Sequence, residues 1–122
     1  MLQIELPYPP SVNHYYRRVG PRTLISRQGR RYRERVCAIL RTMQTKPYEG
    51  DLAVEVELYP PDRRRRDLDN AMKAFLDALQ HGGAYCDDSQ IKELNIEMLT
   101  PCRPDGRVVV RLQPRRGECN AE

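Results

Sequence analysis

A chain of 122 residues with a formal net charge of +4 can bury one hydrophobic core but not two independent ones. No apolar run approaches the roughly 20 residues of a membrane span, and the opening MLQIELPYPP lacks the basic start and long apolar stretch of a signal peptide. A soluble, cytoplasmic protein of one domain is expected, with no membrane partner. Cys37, Cys86, Cys102 and Cys119 form no C-x-x-C pair and no zinc pattern with His14 or His81, so they read as reduced structural thiols.

In chain order, Leu2, Ile4 and Leu6 alternate as a first strand, and the proline-rich PYPPSVNHYYRR after them reads as a loop. Between Ser26 and Met43 the apolar Tyr32, Val36, Ile39, Leu40 and Met43 recur at helical spacing, with Ser26 as the N-cap. DLAVEVELY places Leu52, Val54, Val56 and Leu58 on one face and Glu55 and Glu57 on the other, a half-buried strand that Pro60 and Pro61 stop. Leu68, Met72, Phe75, Leu76 and Leu79 predict a second helix from about Leu68 to Gln80, ended by Gly82 and Gly83. Two more strands follow, IKELNIEML with Leu94, Ile96 and Met98 inward, and GRVVVRL with Val108, Val110 and Leu112 inward, joined by a turn over Pro101 to Gly106. The order β-α-β-α-β-β predicts a single α/β domain of the α+β type, with two main helices on one face of a mixed sheet. The domain is expected over residues 1–113. Residues 114–122, PRRGECNAE with Pro114 first, lack apolar patterning and are expected to be a disordered tail.

Charge is unevenly distributed. Residues 14–41 carry nine arginines against the single acid Glu34, and the only lysines are Lys46, Lys73 and Lys92. The planar guanidinium fork suits phosphate oxygens better than an ammonium does, which points to nucleic acid. For one charged helix alone a solvated basic face competes with that reading. The second cluster, Arg63 to Arg66, favours nucleic acid.

That cluster opens the segment PPDRRRRDLDNAMK. Asp67 falls at the N-cap of the second helix and Asp69 in its first turn. Within a continuous helix they would diverge by about 200°, but with Asp67 outside it both carboxylates can converge at the helix mouth. Lys73 rises on the flank of Asp69, so the three could line one cleft. Asp87 and Asp88 of CDDSQ lie past a short glycine turn, from which a loop can return to that mouth. Carboxylates gathered there would repel one another without a cation between them, and hard oxygen ligands with open water positions suit Mg²⁺. The competing reading is capping and dipole stabilisation, worth ~1 kcal/mol or less each, with Asp69 and Lys73 as an ordinary helix ion pair. A metal site would serve phosphodiester hydrolysis by activating water and neutralising phosphate charge. Arg63, Arg64, Arg65 and Arg66 would then hold backbone phosphates, and Lys73 would stabilise developing charge or position the nucleophile. A flexible basic loop is the alternative for the arginines.

The segments LPYPPSVNHYYR, PDRRRRDLDNAMKAFLDAL and DDSQI, in matching order and spacing, resemble the RusA family of Holliday junction resolvases through about Leu112. The resemblance implies a RusA-like fold and a Mg²⁺-dependent homodimer, with Mn²⁺ as a substitute and no small-molecule cofactor. Such proteins, often encoded by phages or prophages, nick four-way junction DNA symmetrically in recombination and repair. It implies Asp67, Asp69 and Asp88 as metal ligands, Lys73 as an essential base-type residue, Arg66 as a phosphate contact, and Asp87 as a weaker metal or outer-sphere candidate. Asn13, Tyr15, Tyr16, Arg17 and Arg18 match the family's opening motif and could contact DNA, with rings stacking on unpaired bases. Tyrosines packing over the sheet are the alternative. GGAYCDD departs from the family, which often carries larger aromatics there, a difference at Tyr85 and Cys86 that bears on local junction contacts and not on the metal. A DNA-binding protein without catalysis, and a nuclease acting on flaps or RNA, stay open as readings.

Overall fold

The computed structural model describes residues 2–44 and 46–115. In chain order the elements are β1 (Leu2–Leu6), α1 (Val12–Tyr15), β2 (Tyr16–Val19), β3 (Arg22–Ile25), α2 (Arg27–Met43), β4 (Leu52–Tyr59), α3 (Leu68–His81), β5 (Ile91–Met98) and β6 (Arg107–Pro114), with a 3₁₀ turn at Asp88–Gln90 before β5. The main sheet is ordered β1-β6-β4-β5. β6 runs antiparallel to both β1 and β4, placing Val110 opposite Ile4 and Val56, whereas β5 runs parallel to β4 with Ile96 opposite Val56. The expected mixed sheet is therefore present.

Period-two alternation decides which face of the sheet is dry. Leu52, Val54, Val56 and Leu58 of β4, with Val108, Val110 and Leu112 of β6, are buried in one core with Ile4 and Leu6. Tyr32, Val36 and Leu40 of α2 and Met72, Phe75 and Leu79 of α3 complete that core, so both long helices cover the same face. Ala71, Ala74 and Ala78 are buried beside them, their small side chains allowing close packing. The opposite face carries charge, including three ion pairs: Arg107 with Glu5 at 3.2 Å, Arg111 with Glu57 at 3.4 Å, and Arg115 with Glu93 at 3.4 Å.

The helix boundaries follow local chemistry. Ser26 caps α2 by accepting from the Gly29 backbone N–H at 2.9 Å. α3 ends at Gly82, and Gly83 then turns the chain at φ 86°, a conformation side chains resist.

Four expectations need correction. Residues 12–25 are not a plain loop: a helical turn leads into an antiparallel hairpin, Tyr16 opposite Ile25 and Val19 opposite Arg22. That hairpin is largely exposed, so no apolar alternation marked it. Leu94 shares the inward face but is 39% exposed, because β5 is an edge strand. Leu68 and Met43, at opposite ends of their helices, are also exposed rather than core. Pro114 belongs to β6, and Arg115 N–H donates to the Asp51 carbonyl at 2.8 Å; the rest of the expected tail, 116–122, lies outside the described residues.

Candidate metal and phosphate site

Pro60 and Pro61 end β4, and the chain then folds on itself through Asp62. The Asp62 carboxylate accepts from the Arg64 backbone N–H at 2.9 Å and from Arg66 Nη1 at 2.7 Å. Arg66 Nη1 also reaches the carbonyls of Asp62 and Arg64, and its guanidinium lies 5.8 Å from the centroid of the Tyr8 ring. The Arg66 hydrogen bond and charge hold the exposed Asp62 carboxyl at about 2, well below its ordinary value. Arg66, expected as a phosphate contact, is thus first a brace for the loop. Arg63, Arg64 and Arg65 are left exposed.

Asp67 occupies the predicted N-cap position with extended backbone, yet its side chain makes no capping hydrogen bond. Asp69, in the first turn, is exposed, and among the described residues neither carboxylate has an ion-pair partner within 4.0 Å. The ordinary Asp69–Lys73 pair does not form. Lys73 instead sets its ammonium 5.5 Å from the centroid of the Tyr16 ring. The capping hydrogen bond and the ion pair that could have absorbed these acids are both unmade, which leaves only the helix dipole favouring negative charge at this end.

Beside Asp67 opens a cavity of about 660 Å³ lined by Arg64, Arg65 and Arg66 on one side and by Arg31 and Arg35 of α2 on the other. Asn13 also lines it; Arg17 and Arg18, on the exposed strand β2, do not. Arg31 and Arg35 were missed as site residues, although their i, i+4 spacing on a helix already set them on one flank. Only the packing of α2 against the arginine loop shows that this flank faces Asp67.

Tyr15 is fully buried, and its hydroxyl donates to Asp77 while accepting from Arg33 Nε at 3.2 Å. Burial and the Asp77 hydrogen bond push its pKa well up, so it stays neutral. The ring cannot stack on a nucleobase, which corrects that expectation for Tyr15. Tyr16 remains partly exposed.

Asp87 and Asp88 do not return to the helix mouth within the chain. Tyr85 OH donates to the Leu76 carbonyl at 2.6 Å and Ala84 N–H to that of Leu79 at 2.9 Å, pinning the loop along the later half of α3. The Asp88 backbone N–H donates to Gln80 Oε1 at 2.9 Å. Gln80 lies eleven residues beyond Asp69, a rise of about 16 Å along the helix. Asp88 is exposed there, whereas Asp87 accepts from Ser89 Oγ, a bond that holds its carboxyl below the usual range. Consistent with this spread, no group of three or more His, Cys, Asp or Glu residues disposed to hold a metal occurs among the described residues. Asp67 and Asp69 alone still fit a hard cation, because Mg²⁺ is commonly bound by one or two carboxylates, with waters and substrate phosphate completing its shell.

A family model described as Endodeoxyribonuclease RusA matches residues 7–113. The chain is 41% identical over 106 residues to "Crossover junction endodeoxyribonuclease rusA" of Enterobacteria phage 82, covering 86% of this chain and 88% of that protein. The protein of the same name from Escherichia coli strain K12 is 40% identical over the same coverage. That from Enterobacteria phage HK97 is 42% identical over 95 residues, 77% of this chain and 79% of its own length.

Proposed function

The chain belongs to the RusA endodeoxyribonuclease family, and from that premise we propose that it resolves four-way DNA junctions by Mg²⁺-dependent hydrolysis, one cut in each of two strands. The observation that carries the reading is the pair of unpartnered carboxylates at the mouth of α3, Asp67 in the wall of an arginine-lined cavity and Asp69 exposed two residues on. A capping or charge-balancing role would have engaged them. A binding-only protein has no use for two exposed acids where a phosphate backbone must approach.

Asp67 and Asp69 would hold the metal. When bound, Mg²⁺ (or Mn²⁺) lowers the pKa of a coordinated water and offsets charge on the scissile phosphate. Arg64 and Arg65, with Arg31 and Arg35 facing them, seat the flanking phosphates as bidentate donors. Lys73, on the flank of Asp69, places its ammonium toward the oxygen on which charge develops. Arg66 holds the loop that displays its neighbours.

The active form in this reading is a homodimer. A four-way junction has an approximate two-fold axis, and a C2 dimer supplies one site per strand to be cut. Asp88 gives a second reason. It is remote from Asp67 and Asp69 within a chain, so any part it plays as a ligand requires a second subunit. No helix among the described residues is long and apolar enough to cross a membrane, and we place the activity in the cytoplasm with DNA.

The test is a denaturing-gel assay on a mobile synthetic junction, with linear duplex, flap and RNA duplex as controls, in Mg²⁺ and in EDTA. Paired symmetric nicks on the junction alone, absent in EDTA, are expected. Tight junction binding without cutting would leave a DNA-binding protein, and cutting confined to a flap or RNA would replace the substrate.

A further inference from the structure

Lys73 has a carboxylate one turn away on either side, Asp69 and Asp77, and pairs with neither. Asp77 is taken: Arg33 Nη2 meets its Oδ2 at 2.8 Å, Arg33 Nε donates to the same oxygen at 2.9 Å, and the Tyr15 hydroxyl donates to it as well. Deprived of that partner, the ammonium sits 5.5 Å from the centroid of the Tyr16 ring. We propose that Tyr16 is a positioning residue for Lys73, its ring face fixing where the ammonium stands at the nuclease site.

The chemistry favours a ring over an acid. A carboxylate beside Lys73 would neutralise the charge and occupy N–H donors that a phosphate oxygen needs. An aromatic face attracts the cation through its quadrupole, takes no hydrogen bond and leaves all three donors free.

The ring is itself held. Tyr16 meets Tyr15 edge-to-face, centroids 4.8 Å apart and planes at 83°. Tyr15 is buried and tied through its hydroxyl to Asp77 on α3 and Arg33 on α2. Its carbonyl accepts from Ser26 N–H at 2.9 Å, and any Cβ at Gly29 would collide with that carbonyl, so the first turn of α2 closes directly on it. One network thus fixes the ring to the helix that carries Lys73.

This inference rests on the nuclease reading, and the test separates the two. Single-turnover junction cleavage and junction Kd are measured for the wild type, Tyr16→Phe, Tyr16→Leu and a second ringless variant, Tyr16→Gln, each with its melting temperature. The Lys73 ε-methylene resonance is followed by NMR, since the ring current above an aromatic face shifts it upfield. Expected are wild-type cleavage and an intact upfield shift in Tyr16→Phe. The ringless variants should lose the shift and cut about tenfold more slowly with unchanged Kd. Equal loss in Tyr16→Phe would assign the effect to the hydroxyl and overturn the proposal. So would wild-type rates without the ring, or a loss in Kd alone, which would make Tyr16 a DNA contact. A wild type that cuts no junction defeats the nuclease reading itself and this role with it.

Discussion

On the outer face of the sheet, Arg107 and Arg111 each meet a glutamate on a neighbouring strand, and Arg115, just past the end of β6, meets Glu93 of β5. At the mouth of α3, Asp67 shares a cavity with Arg64 and Arg65 and Asp69 follows in the first turn, neither in an ion pair, the loop having closed only through Asp62 and Arg66. The same residue types are thus disposed in opposite ways. On the sheet face, strand spacing brings opposite charges within reach of each other, for a gain of about 0–1 kcal/mol per exposed pair. Where charges are left apart, helix geometry points them outward, and their counter-charges are expected from a ligand: cation for the acids, phosphate for the arginines.

The largest expected effect falls on the acids. Asp69→Asn should slow junction cleavage by at least about 10²-fold while junction binding is kept or tightened, because a repulsive charge beside phosphate is removed. Mixing Asp69→Asn with Asp88→Asn subunits sharpens this. If Asp88 serves the site of the other subunit, each mixed dimer carries one intact site and regains single-strand nicking, whereas acids acting within one chain leave the mixture dead.

A smaller loss is expected for Arg64→Ala and Arg65→Ala. Each should weaken junction binding and reduce the slope of log K against log salt by about 1, as for a lost phosphate contact. Arg111→Ala on the sheet face is the counterpart and should leave cleavage and salt slope unchanged, costing under ~1 kcal/mol in urea unfolding. A sheet-face variant that moved the salt slope would erase the distinction between the two regions.

The smallest effect concerns the one pair that closes the arginine loop. The Asp62 carboxyl titrates at about 2 against an ordinary 3.8, so its bridge to Arg66 is fully present above pH ~4 and is lost as pH falls through about 2. NMR titration of the Asp62 side chain should show that midpoint, and Arg66→Ala should return it towards 3.8.

Much of the scaffold was legible because its signals are local. Ser26 caps its helix through a contact three residues away, and Leu52, Val54, Val56 and Leu58 alternate as a sheet with one dry face demands. The hairpin over Tyr16–Ile25 was not legible, since an exposed hairpin needs no apolar alternation. Leu94 misled because inward orientation and burial part company at a sheet edge. At the site, the positions of Asp67 and Asp69 followed from the helix start, but three features depend on tertiary packing. Arg31 and Arg35 become a cavity wall only once α2 meets the loop. Asp88 is carried along α3 by hydrogen bonds from Tyr85 and Ala84. Tyr15 and Tyr16, adjacent in sequence, separate into a buried anchor and a half-exposed ring.

The most direct test of the central claim is paramagnetic line broadening in a ¹H–¹⁵N spectrum titrated with Mn²⁺. Broadening at substoichiometric Mn²⁺ confined to the amides around Asp67 and Asp69, joined by those around Asp88 if a second subunit completes the site, and abolished by Asp69→Asn, is the predicted result. Broadening that instead spread over Glu5, Glu57 and Glu93 of the sheet face, or that ignored Asp69→Asn, would contradict it.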